Sequence, residues 1–138
     1  MQVVNFETAK KLRDAFPNYK WNTDDCVYLY INDNKQRLIN WGSVEADYYL
    51  KDDNRFYPAP FIQAVIEMLE QDYDWSIYIV PEFDKTTYKI HENHANIGKD
   101  YVICCQVGDR FSSTNRAIQE TIDLIKDEIF SKKINLKF

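Results

Sequence analysis

"WSIYIVPEFDKTTYKIH", residues 75 to 91, decides the fold class. Two runs rich in β-branched and aromatic residues, 75–80 and 86–91, are joined only by the short "PEFDK", which reads as two strands in succession with no helix between them. The same arrangement occurs upstream. "CVYLYI" at 26–31 alternates so that Val27, Leu29 and Ile31 share one face and Cys26, Tyr28 and Tyr30 the other. The polar "NDNK" then acts as a hairpin connection into "QRLINW" at 36–41. A short third strand is expected around Tyr48 to Leu50, and "YVICCQV" at 101–107, apolar almost throughout, predicts a central strand.

Three helices complete the chain. Residues 5–16 carry an apolar stripe of Phe6, Ala9, Leu12 and Phe16 behind a capping Asn5, and Pro17 stops them. In "FYPAPFIQAVIEML", 56–69, the two prolines force an extended approach, and a helix starting at Pro60 runs to about Gln71. The last helix starts near "SSTN", where Ser113 or Thr114 caps, and carries Ile118, Ile122, Ile125 and Ile129. Strands follow strands more often than they alternate with helices. The expectation is a single α+β domain over residues 1–138, with an antiparallel sheet of about five or six strands and about three helices packed mainly on one face.

The composition narrows function mostly by exclusion. The 138 residues are 45% hydrophobic and 28% charged, a globular balance. A net charge of -5 argues against a nucleic-acid partner, because such binding relies on clustered Lys and Arg. Between Phe56 and Asp84 there is no Lys or Arg, while Glu67, Glu70, Asp72, Asp74, Glu82 and Asp84 fall there. That segregation suits a basic protein partner. Three cysteines form no closed disulfide set and the first residues lack a signal-peptide core, so reduced thiols and a cytoplasmic location are expected. No apolar run is long enough to span a bilayer.

The three glycines, Gly42, Gly98 and Gly108, lie in no phosphate-cradling pattern, which excludes the common nucleotide sites of that kind. His91 and His94 with Cys104 and Cys105 are the nearest approach to a metal set, but adjacent strand residues point to opposite faces and cannot serve one ion. No cofactor is expected. The same four residues define the alternative of a thiol-dependent enzyme, Cys104 or Cys105 paired with His91 or His94. The aspartate pairs Asp24–Asp25 and Asp52–Asp53 read as turn residues. A second alternative is a single-stranded nucleic-acid binder that stacks bases on Tyr28 and Tyr30, extended by Tyr78 and Tyr88 if their strands share a sheet.

"YPAP" at 57–60 opening an amphipathic helix, then "DWSIYIVPEFDKTTYKI" at 74–90 and "STNRAIQETIDLIKDEI" at 113–129, resemble a group of small bacteriophage and gut-bacterial proteins. The likeness covers about residues 45 to 130, with Phe61 and Met68-Leu69 standing where that group has other residues. The resemblance implies α+β architecture and a phage or mobile-element origin, and no catalytic residue. Taken together, the sequence points to a small intracellular binding or accessory protein. Its expected contact surface joins Glu67, Glu70 and Asp74 with the aromatics Tyr28, Tyr30, Tyr48 and Tyr49.

Overall fold

The hairpin at residues 27–39 is built around a two-residue turn. In the computed structural model, which describes residues 2–21, 26–39, 55–81, 86–93, 100–105 and 109–135, β1 (Val27–Asn32) pairs antiparallel with β2 (Lys35–Ile39). Asn32 tightens the turn by accepting the Asn34 N–H on its side-chain oxygen at 2.9 Å. The ladder slips between Tyr30 and Asn32. Ile31, expected to share a face with Val27 and Leu29, falls at that irregularity, and its side chain is exposed. Val27 and Phe56 are buried instead, with Leu29 and Ile39 packed against them.

Phe56 belongs to a strand that the prolines concealed. The extended stretch expected before the second helix is itself β3 (Phe56–Pro58), antiparallel to β1 with Val27 opposite Pro58 and Tyr28 opposite Tyr57. The Tyr30 N–H donates to the Arg55 carbonyl and the Ala59 N–H to the Cys26 carbonyl. Hydrogen-bonded and non-bonded pairs alternate in such a ladder, so Val27–Pro58 falls at a non-bonded pair. Proline therefore costs no ladder bond there.

The chain then passes to a second short pairing before any helix forms. Val3 bridges Phe61, the Val4 N–H donates to the Pro60 carbonyl and the Ile62 N–H to the Gln2 carbonyl, both at 3.0 Å. Because of this strap, α2 (Ile62–Tyr73) begins two residues later than Pro60 and has no side-chain cap in its sequence. The Gln2 carbonyl answers one of the N–H groups that a cap would otherwise serve. α1 (Phe6–Ala15) matches its expectation, with Asn5 accepting the Thr8 N–H at 2.9 Å and Ala9 and Leu12 buried. Burying a leucine of that kind contributes roughly 1.5–3 kcal/mol.

The six strands among the described residues fall into two three-stranded antiparallel sheets, ordered β2-β1-β3 and β4-β5-β6, where one sheet was expected. The chain divides correspondingly into two compact units, Met1–Ala64 and Val65–Phe138. The second unit contains β4 (Trp75–Pro81), β5 (Thr86–Glu92), β6 (Asp100–Cys105) and α3 (Arg110–Asn135). β5 is the middle strand and β6 an outer one. The central position that its apolar run predicted for β6 is held by β5 instead. The third strand expected at 48–50 and the two aspartate pairs lie outside the described residues.

α3 packs on β4 and β5, and its Ile118, Ile122 and Ile125 are buried as their spacing predicts. Ile129 lies outside the described side chains. The helix starts earlier than expected. Its cap is Asp109, whose carboxylate accepts the Ser112 N–H at 2.7 Å and sits below the usual aspartate range for that reason. Ser113 and Thr114, the expected caps, are buried inside the first turns. Thr114 and Thr121 donate their hydroxyls back to the Arg110 and Ala117 carbonyls, each at 2.7 Å, which satisfies them within the helix. No helix among the described residues is long and apolar enough to cross a membrane.

Candidate functional site

The polar edge of α2 is the most sharply defined surface feature. Val65, Met68 and Leu69 turn inward, while Gln63, Glu67, Glu70, Gln71 and Asp72 are exposed. Glu67, Glu70 and Asp74 follow at spacings of three and four and therefore line one side of the helix and its end. Glu70 and Asp74 lie at the carbonyl end of the helix and oppose its dipole, and no basic residue in the last turn offsets them.

Asp74 ends the helix in a conformation usually given to glycine. Its φ is 60°, the left-handed region. Its N–H donates to the Glu70 carbonyl at 3.1 Å, and its own carbonyl accepts the Asn93 N–H at 2.8 Å. The Asn93 side chain in turn donates to the Ser76 hydroxyl at 2.6 Å. The chain is thereby fixed on both sides of the turn, and the exposed carboxylate of Asp74 is held by backbone bonds rather than by its own contacts.

The tyrosines occupy a different setting in the first unit. Tyr28, Tyr30 and Tyr57 share a face of sheet β2-β1-β3, and Phe6 of α1 lies on it, 5.7 Å, 6.1 Å and 5.2 Å from their ring centres. The Arg13 guanidinium stacks 3.9 Å over Tyr57 and donates to the Phe56 carbonyl at 2.7 Å. Tyr28 donates its hydroxyl to the Val4 carbonyl at 2.7 Å, and burial, with a lesser contribution from Cys26, pushes its phenol above the ordinary value. Tyr30 donates to the Asp33 carboxylate. Both rings, expected at a contact surface, are half-buried beneath a helix. Tyr48 and Tyr49 lie outside the described residues.

The extension of an aromatic face through Tyr78 and Tyr88 does not form. Those strands belong to the other sheet, and the two residues lie on opposite faces of it, Tyr78 opposite Lys89 and Tyr88 opposite Ile79. Tyr78 is 52% exposed and Tyr88 is fully buried.

The register of β5 and β6 bears on the thiol alternative. His91 stands opposite Asp100, Cys104 opposite Thr87 and Cys105 opposite Thr86. Cys104 is therefore four positions along the ladder from His91, about 13 Å of strand at the usual rise, and Cys105 one position further. His94 lies outside the described residues. Among the described residues no group of three or more His, Cys, Asp or Glu side chains is placed to hold a metal ion.

Comparison of the chain with protein-family models, with curated proteins and with solved structures finds no match.

Proposed function

We propose that the chain is a small binding or accessory protein that works inside the cell through protein–protein contacts, and that the acidic edge of α2 meets a basic surface on the partner. The observation that carries this reading is the placement of Glu67, Glu70 and Asp74. They are exposed and aligned, and Glu70 and Asp74 lie at the helix end where negative charge is least favourable. Charge kept where it weakens the local fold is the pattern of a surface used for recognition. A bacteriophage or mobile-element origin is the setting that the resemblance of the YPAP helix and the following strands implies, and it belongs to the same proposal.

Affinity capture from host lysate tests the reading. The tagged wild-type chain is expected to retain a basic protein that elutes with rising salt, and a Glu67→Lys, Glu70→Lys, Asp74→Lys variant of unchanged circular dichroism is expected to lose it. Retention of every partner by that variant refutes the assignment of this face.

A further inference from the structure

Four strand edges bound the two sheets, and they are not protected alike. In the first sheet, β2 exposes Lys35 and Arg37, charges that discourage another strand from pairing. β3 is closed on its outer side in another way. Pro58 has no N–H to offer there, and the Phe56 carbonyl is taken by Arg13. β4 in the second sheet has such a device only at its end, where Pro81 has no N–H to offer on the outer side: from Trp75 to Val80 it carries no charge and no proline, its ladder with β5 runs without a bulge, and Tyr78 in its middle is 52% exposed.

The register says which backbone groups of β4 face outward. The Asn93 N–H bonds the Asp74 carbonyl, so the bonded pairs on β4 fall at even-numbered residues. Ile77 and Ile79 then direct their N–H and C=O groups away from β5. Around Tyr78 the sequence is symmetric, Ile77-Tyr78-Ile79, and a strand with such symmetry complements itself in the antiparallel sense.

We infer that the outer edge of β4 pairs with β4 of a second copy of this chain, about a twofold axis through Tyr78. Ile77 of each copy faces Ile79 of the other, and the two pairs exchange four backbone hydrogen bonds. Tyr78 meets its symmetry mate at a non-bonded pair, where side chains approach most closely. The β4-β5-β6 sheets of the two copies become one of six strands. This inference does not depend on the acidic edge of α2, and either can fail alone.

Light scattering coupled to size exclusion, on the full chain, reads the mass directly. The expected result is twice the 16.5 kDa chain mass, falling to the single-chain value for Tyr78→Lys, which sets two ammonium groups against each other. A wild-type monomer, or a dimer that Tyr78→Lys leaves intact, overturns the proposal. Amide hydrogen exchange of the wild type decides the matter if the variant fails to fold. Ile77 and Ile79 amides are expected to slow as protein concentration rises while those of the β2 edge do not, and concentration-independent exchange at both isoleucines overturns it.

Discussion

Replacing Asp74 by glycine is expected to make the protein more stable. Asp74 holds a left-handed backbone at φ 60°, a conformation that costs an L-residue roughly 1 kcal/mol or more relative to glycine. It also places a carboxylate at the negative end of α2, one turn beyond Glu70, and relief of such an arrangement is worth about 0.3–1 kcal/mol. The two bonds that fix the turn are made by the Asp74 backbone and survive the substitution. Glycine is more flexible in the unfolded chain, which offsets part of the gain. The net expectation for Asp74→Gly is about 1 kcal/mol, a rise in Tm of about 3–5 °C for a chain of this length. Asp74→Asn keeps the backbone demand and removes only the charge, so it should gain less, and its gain should shrink at high salt. Urea and thermal unfolding followed by far-ultraviolet circular dichroism measure both. A glycine variant no more stable than the wild type refutes the reasoning. If the acidic edge is the contact surface, both variants also weaken partner capture, so stability and binding move in opposite directions.

Three further outcomes are expected. Arg13→Ala removes the bond to the Phe56 carbonyl and the stack on Tyr57 and should cost about 1–3 kcal/mol in denaturant unfolding, with Arg13→Lys between the two. Val4→Ala, in the fully buried strap residue, should cost about 1–3 kcal/mol and speed exchange of the Ile62 amide, because the strap that receives it is loosened. Asp109 has a depressed folded pKa from the Ser112 N–H, so its contribution to stability is present above the unfolded value and lost as pH falls through the folded one. Asp109→Asn keeps the cap without the titration, and the Tm difference between wild type and Asp109→Asn should therefore change below about pH 4 and stay level above it.

Local signals carried the sequence reading where the local and tertiary answers agree. Asn5 capping α1, the "NDNK" turn and the strand pair either side of "PEFDK" each depend on residues within a few positions. β3 was missed because "FYPAP" can be extended for two reasons, proline sterics or strand pairing, and only its contact with β1, some thirty residues away, distinguishes them. The start of α3 was misplaced for a similar reason. Ser113 and Thr114 are good caps in isolation, but Asp109 lies one turn upstream and the hydroxyls are drawn inside. In the candidate site, the exposure of Glu67, Glu70 and Asp74 was legible from helical period alone. The fate of Tyr28 and Tyr30 was not, since a tyrosine face on a strand suits solvent and a covering helix equally, and Phe6 decides between them.

The inward-bonded threonines of α3 alter how that helix should be counted. With the hydroxyls of Thr114 and Thr121 engaged by the carbonyls one turn back, what each residue offers the rest of the protein is mainly its methyl group. A hydropathy scale scores both as polar, yet in the fold they act much as valines would, and α3 is effectively greasier than its letters suggest.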